Sequence, residues 1–356
     1  MDDQLAALVS VRIFVPDLAK RLAGVPAETL ADIVLDRSER RWVREKCACA
    51  LLDRVPAGRR AALAESDLNG AIARTILDGP DVPALVVLAA DAWTHRRTVG
   101  EQLLDAVIDV RGLPAVLAPL GASSPEELMT GGASPTERLL GTRLTHLYGG
   151  DVTPALADPV TMVARAAHDV LVDSEGFDDE LRAMTTGPGR LWALAVLAGR
   201  GEPVDGPAIP LPTVPDDVRA AIVRQYTPGQ RDTDPRWLIE AASNRTTAPD
   251  EEEILRQAIA ALVGLNPREP VSAHDEHQQG DGTYHTVATD AGRATISTLG
   301  PFFAATDNRV TKALRDNGFR HIDATIGDTV FTGLHVYYFG DRNPLAVSTL
   351  LFYWQD

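Results

Sequence analysis

The chain reads as mainly α with a smaller α+β domain: an α-solenoid of helical hairpins, further helices, and a C-terminal antiparallel β-meander with one helix. Three observations predict this. A proline-led pattern recurs near the start, VPAETLADIVLD from Val25, VPAGRRAALAES from Val55 and VPALVVLAADAW from Val82, with a weaker LPAVLAPLGAS from Leu113, at spacings of 30, 27 and 31 residues. Helix-start signals then continue without a period. At about residue 270 the composition changes: residues 271–356, under a quarter of the chain, hold 11 of its 19 aromatics, and β-branched runs replace the alanine-rich helices. Repeated helical hairpins cannot bury their apolar faces alone and stack on their neighbours, which makes them binding scaffolds more often than enzymes.

Each of the first three units closes on an apolar-acidic triplet, Leu51-Leu52-Asp53, Ile76-Leu77-Asp78 and Leu103-Leu104-Asp105. The second helix of the first unit, RRWVREKCACALLD from Arg40, spaces Trp42, Val43, Arg44, Cys47, Ala48 and Leu51 along its length. Aligning the triplets sets Asp67, Leu68 and Asn69, and then Thr94, His95 and Arg96, on Trp42, Val43 and Arg44. This pattern resembles HEAT-like repeats, with a shorter period nearer to leucine-rich variant repeats, over about residues 15–120. The resemblance implies a protein-binding scaffold and carries no catalytic residue set. Arg44 and its match Arg96 are the candidate binding residues of this region.

Residues 121–200 are expected to extend the helices. Ser124-Pro125-Glu126-Glu127 and Ser134-Pro135-Thr136-Glu137 each set Ser at the cap, Pro at the first helical position and Glu where its carboxylate can reach back to the cap. The second should bury Leu139, Leu140, Leu144 and Leu147 before Gly149-Gly150 ends it. Residues 201–215, with prolines at 203, 207, 210, 212 and 215, read as a linker or extended strap. A helical subdomain follows over residues 216–270. Asp234-Pro235 opens one of its helices, and the acids of Pro249-Asp250-Glu251-Glu252-Glu253 suit the positive end of another.

In the aromatic-rich domain, 271–356, strands are expected at Thr283–Thr289, Arg293–Thr298, Arg320–Ile326, Thr329–Phe339 and Leu345–Trp354, with a helix from about Asn308 to Asn317 ended by Gly318. Gly327-Asp328 would turn one hairpin and Asp341–Pro344 the next, making the last three strands the meander. Both faces of the strand at 329–339 would carry large apolar groups, so one should meet a partner or the solenoid. Tyr337, Tyr338 and Trp354 are the binding candidates there.

Charge narrows the partners. The net charge is −16, and residues 101–300 hold 30 acids and 15 bases against 14 and 14 in residues 1–100. Phosphate backbones would be repelled, so nucleic acid is disfavoured, and the cluster Arg37, Arg40, Arg41, Arg44 and Lys46, interleaved with Glu39 and Glu45, reads as a solvated face laced with ion pairs. A basic protein would be attracted, as by an immunity-type inhibitor. Cys47 and Cys49, two apart on a helix, point to different sides and favour neither a disulfide nor a shared metal. The acidic start MDDQLAALVS and the lack of a run of about 20 apolar residues point to a cytoplasmic protein without a membrane span.

Chemistry-bearing residues are few. His274, His277 and His285 crowd a polar, glycine-containing stretch whose first part, HDEHQQGDG, also reads as a flexible linker; they are the weak candidates for a metal that is otherwise not expected. His321 and Asp323, two apart on a predicted strand, would share a face as an acid/base pair, and His335 would line a pocket; these three carry the alternative reading, an enzyme or small-molecule binder using the C-terminal domain. Phosphate-cradling glycine loops, a nucleophile elbow and paired Cys-x-x-Cys are absent, and no cofactor is expected.

Overall fold

The computed structural model describes residues 3–95, 99–184, 186–230, 232–245 and 247–356. They fold as two compact units, Met1–Ala155 and Leu156–Asp356. Helices dominate, and sheet is confined to residues beyond 270 among those described, so the chain is mainly α with a smaller α+β part.

In the first unit, α1 (Asp3–Val9) and α2 (Leu18–Arg21) precede the hairpins. Every proline-led start opens a helix or helical turn, because proline has no N–H to lose there and its φ is already helical. Val25-Pro26 leads into α3 (Ala27–Leu35), followed by α4 (Arg41–Cys49). Val55-Pro56 leads into a turn that becomes α5 (Arg60–Ala64), followed by α6 (Gly70–Asp78). Val82 begins α7 (Val82–His95), and α8 (Val99–Arg111) follows. Leu113-Pro114 opens the short α9 (Pro114–Leu117); α10 (Pro125–Gly131) and α11 (Pro135–Leu147) complete the unit. Successive helices pack in pairs, and α8 also packs on α2 and α4. Leu30, Val34, Val43, Leu103 and Val107 therefore share one core.

Three expectations change here. Leu103-Leu104-Asp105 is not a stop but the middle of α8, with Leu103 and Leu104 buried and the helix continuing to Arg111. Leu147, expected in the core, is 67% exposed, one residue short of the glycine-ended turn. The basic row is a solvated face only in part: Arg37, Arg40 and Arg41 are exposed, Arg41 pairing with Glu45 at 3.0 Å, but Arg44, Glu45 and Lys46 are buried. Lys46 Nζ donates to the carbonyls of Val11 and Ile13, each at 2.8 Å, fastening the segment after α1. Such multiple bonds to carbonyls are what allow a buried cation to remain. Cys47 and Cys49 are both free and fully buried, and burial pushes the Cys47 thiol up to about 12.

The capping expectations hold with one shift of register. Ser134 accepts from Glu137 N, and Glu137 Oε2 accepts from both Ala133 N and Ser134 N. At Ser124 the returning carboxylate of Glu127 accepts from Ser123 N, one residue earlier.

The second unit contains α12 (Thr161–Val172), α13 (Asp178–Ala183), α14 (Arg190–Gly199), α15 (Asp216–Tyr226), α16 (Pro235–Ser243) and α17 (Glu251–Leu262). Asp234 caps α16, the helix that its sequence opens, while Asp250, expected among the first-turn acids, is itself the cap of α17 and accepts from Glu253 N. After them come β1 (Val271–Ser272), α18 (Ala273–His277), β2 (Asp281–Gly282), β3 (Tyr284–Ala288), β4 (Arg293–Ser297) and β5 (Phe302–Ala305). Next are α19 (Asn308–Asp316), β6 (Arg320–His321), α20 (Ala324–Gly327), α21 (Val347–Leu351) and β7 (Trp354–Gln355). The main sheet has the order β1-β3-β4-β5-β6, antiparallel except for the parallel β5–β6 pair that α19 connects, and β2 pairs with β7 separately. Helices α17 and α19 cover one face, where Ile254, Leu262, Val310 and Leu314 meet Val287, Ile296 and Phe303. A core therefore runs continuously across residue 270. The proline-rich stretch acts as a strap, with Ile209 and Val214 buried beside Trp237 and Phe331.

The antiparallel meander exists, but β3, β4 and β5 make it, not the last three predicted strands. The strand expected at Arg320–Ile326 ends at His321, because Asp323 instead caps α20 by accepting from Ile326 N. Gly327-Asp328 ends that helix and turns no hairpin. Residues 329–339 form no regular strand: Gly333 has φ +77, and Phe331, Leu334 and Val336 are the buried residues, breaking the alternation. The backbone of this segment bonds to α16, with Thr332 O accepting from Trp237 Nε1 and Gly333 O from Asp234 N. The stretch 345–354 holds the five-residue α21 in place of a continuous strand and reaches β7 only at Trp354. Apolar groups on both faces signalled burial on both sides, which an irregular or helical core segment satisfies as well as a strand.

Candidate functional site

The C-terminal aromatics gather at one corner of the second unit, and glycines make the corner possible. Strand β7 lies against Gly280-Asp281-Gly282 with Gln355 opposite Asp281 and Trp354 opposite Gly282. A Cβ at Gly280 would collide with the Gln355 carbonyl, and one at Gly282 with Ala273 Cβ. Thr283 anchors the approach: its N–H donates to Tyr353 O at 2.8 Å, while its hydroxyl accepts from Tyr353 N at 2.9 Å and donates to Leu351 O at 3.1 Å. Trp354 is thereby set over His277, ring centroids 3.8 Å apart and nearly parallel, with its Nε1 donating to Gln279 O.

From Trp354 the rings continue inward. Phe339 lies 5.3 Å from Trp354, Tyr338 4.7 Å from Phe339, Tyr353 5.5 Å from Tyr338, and the buried Tyr226 5.9 Å from Tyr353. Tyr353 OH donates within this group, to Tyr337 O or Gln355 Oε1, and burial pushes its phenol up to about 12, so it remains a donor at neutral pH. Tyr337 and Phe339 are 46% and 50% exposed. The candidates Tyr337, Tyr338 and Trp354 are thus brought together, joined by Phe339, Tyr353 and His277.

Phe339 stands on a costly backbone. Tyr338 N and O exchange hydrogen bonds with Asp341 O and N at 2.8 and 3.0 Å, closing a two-residue turn whose central residues, Phe339 and Gly340, have φ +45 and +87. Asn or Gly is the ordinary residue at the first of these positions.

Other candidates lie elsewhere. Arg44 is 4% exposed: its Nε donates to Val34 O at 2.7 Å and its fork holds Asp67 of the next hairpin. It is a clamp between hairpins and presents no binding surface. Arg96 lies outside the described residues. His321 receives a hydrogen bond from Arg315 Nη2 at 3.0 Å, has Nε2 3.2 Å from Ala305 O and packs on Phe303, while Asp323 is a helix cap, so the two do not form an acid/base pair on one strand. His335 Nδ1 is tied to Arg342 O, closing a loop.

The stretch expected as a flexible linker is helix α18, capped by Ser272, which accepts from Asp275 N. The Ser-x-x-Asp spacing was its signal. His274 Nδ1 bonds to Gly280 O, His277 Nε2 to Tyr284 OH, and His285 sits on β3 with burial lowering its imidazole. Among the described residues, no three or more His, Cys, Asp or Glu are arranged to hold a metal ion.

Another concentration of ionisable groups lies in the first unit. Glu101, Asp105 and Asp109 follow at four-residue spacing on α8, and Asp105 Oδ2 accepts from Asp17 N at 3.0 Å. Burial first, then Asp109, push the Asp105 carboxyl up to about 7; burial and Asp17 raise Asp109 as well. Folded protein therefore keeps a proton that the unfolded chain releases near pH 4, so this group's contribution weakens stability as pH rises from about 4 to 7. Asp105→Asn should stabilise the first unit at pH 8 by roughly 1–3 kcal/mol, allowing for partial solvent screening, with little effect at pH 4. Denaturant melts of both proteins at the two pH values check this; equal gains at both would contradict it.

No protein-family model, curated protein or solved structure matches the chain. No helix among the described residues is long and apolar enough to cross a membrane.

Proposed function

We propose that this protein acts by binding another protein, and that the aromatic corner is the contact for a partner segment carrying Arg or Lys. The supporting observation is Phe339, a half-exposed ring held on left-handed backbone where Asn or Gly would be lower in energy by about 1 kcal/mol. Aromatic side chains dominate the energetics of protein contacts, and their faces attract cations. Exposed carboxylates at Asp281, Asp341 and Asp356 accompany the rings, and the net charge of −16 would steer a basic partner toward the protein. The helical hairpins would provide a second contact surface. In its most specific form, this is an immunity-type inhibitor of a basic partner.

The test is affinity purification of the tagged full-length protein from its native host at low and high salt, with mass spectrometry of stoichiometric partners. A basic partner is expected at low salt and absent at high salt. Phe339→Asn should abolish its recovery while stability stays level or rises by about 0.5–1 kcal/mol, since Asn tolerates the turn. A partner retained by both Phe339→Asn and Tyr337→Ser would remove the corner from the binding role; no partner at either salt would sink the reading.

A further inference from the structure

Away from the aromatic corner, the second unit holds a cleft of about 660 Å³ between α12, α14, α15 and α16, a volume that takes one small molecule. Ala195, Val223 and Leu238 supply apolar wall. Two polar groups of its lining are left with bonding capacity to spare. Thr227, fully buried just after α15, lines the cleft, and its hydroxyl has no hydrogen-bond partner among the described residues. A buried hydroxyl forfeits its bond to water, so one left unpaired beside a cleft marks where a ligand atom would be held.

His168 is the other group, also buried. Its Nδ1 lies 2.9 Å from Asp169 Oδ1, and its ring stands edge-on to Trp192 at 5.8 Å. Arg165 Nε donates to the same carboxylate oxygen at 2.6 Å, and its other nitrogens donate to Gln230 O and Pro228 O. Burial pushes the Asp169 carboxyl up, but His168 and Arg165 outweigh it and hold the group below its ordinary range. An ionised carboxylate only accepts, so the neutral imidazole carries its proton on Nδ1 and Nε2 becomes an acceptor. Nε2 has no protein partner among the described residues and is free to accept from the O–H or N–H of a ligand.

The charges of the lining cancel, and this selects the ligand. Arg165, Arg224 and Arg245 stand against Asp169, Asp173 and Glu240. Each buried charge is already engaged: Arg165 with Asp169, Arg224 with Leu299 O, and Glu240 with the fork of Arg219, which lies outside the lining, at 2.6 and 2.5 Å. Arg245, which donates to Gly199 O, and Asp173 are exposed and of opposite sign. A charged head group would give up its hydration here and meet no excess of opposite charge, whereas an uncharged one loses far less. We propose that this cleft binds an uncharged small molecule with an apolar body and one hydroxyl or amide group, which donates a hydrogen bond to His168 Nε2 and forms another with the Thr227 hydroxyl.

The full-length protein carrying ¹⁵N-histidine would be titrated at about pH 8 to about 10 mM with probes built on one ring: benzyl alcohol, benzamide, benzyl methyl ether, benzoate and benzylamine. The His168 ring signals are assigned by their absence from His168→Gln. The alcohol or the amide is expected to shift the Nε2 signal saturably. It should bind about fivefold tighter than the ether, which accepts but cannot donate, and about tenfold tighter than either charged probe. Whichever of the two binds tighter identifies the head group. Thr227→Val removes a hydroxyl without a partner, so the variant should be at least as stable as the parent and should weaken the better probe about fivefold. Silence of the His168 signals with every probe, ether or charged-probe binding as tight as that of the alcohol and the amide, or an unchanged affinity in Thr227→Val would each overturn the proposal. So would a destabilised Thr227→Val, which would mean that the hydroxyl is already bonded within the protein.

Discussion

Replacing Trp237 with alanine should cost the second unit about 3–5 kcal/mol and lower its melting temperature by roughly 6–15 °C. The ring is fully buried, stacks on Phe331 at 4.6 Å and has the Arg219 guanidinium 4.6 Å from its centroid. Its Nε1 donates to Thr332 O at 2.9 Å, so the substitution empties a large volume and leaves a carbonyl without its donor. Trp237→Phe keeps the stacking and most of the volume and should cost about half as much. Urea denaturation followed by circular dichroism measures both. A loss under about 1 kcal/mol for the alanine variant would mean that residues 329–339 hold their place without α16. A large loss has a functional corollary: the same segment leads into Tyr337, Tyr338 and Phe339, so Trp237→Ala should also loosen the aromatic corner.

The second large effect is expected at Arg44. Arg44→Ala should destabilise the first unit by roughly 2–4 kcal/mol, because a buried guanidinium serves both Val34 O and Asp67, and its loss strands a carbonyl at the end of α3. Asp67→Ala should do much less, since that carboxylate is 56% exposed, water can take its place beside the guanidinium, and the bond from Arg44 to Val34 O remains. Thermal melts of the two variants separate the cases. Equal losses would assign the clamp to the ion pair and not to the carbonyl contact. An unchanged Arg44→Ala melt with lost partner binding would return Arg44 to the surface role that its sequence suggests.

These two residues show where sequence reading succeeds and stops. Trp237 follows Asp234-Pro235, and that cap announces the helix because capping is settled within four residues of chain. Nothing nearby announces the Phe331 stack, which joins positions 94 residues apart. Arg44 is visible as an arginine in a row of charges, and a row of charges ordinarily faces water. In its buried position it holds Val34 O of α3 and Asp67 of the next hairpin, 10 and 23 residues away, which no local pattern encodes. Gly333 illustrates the same limit: a run of β-branched and aromatic residues around it suggests a strand, yet its positive φ and the donors of α16 draw the backbone away from sheet pairing.

By itself the sequence determined the helical hairpins, their proline starts, the cap at Ser134, the helix starts at Asp234 and near Asp250, the change of composition near residue 270 and the aromatic character of the C-terminus. All of these rest on interactions within a few residues or on composition. Tertiary structure alone decided which strands form the meander, that Arg44 and Lys46 are buried, that Tyr337, Tyr338 and Trp354 meet through β7 lying on Gly280-Asp281-Gly282, and that Arg165, His168 and Thr227 line one cleft. Those depend on which distant segment supplies the missing hydrogen bond or apolar contact, and that choice is made by the packed core as a whole.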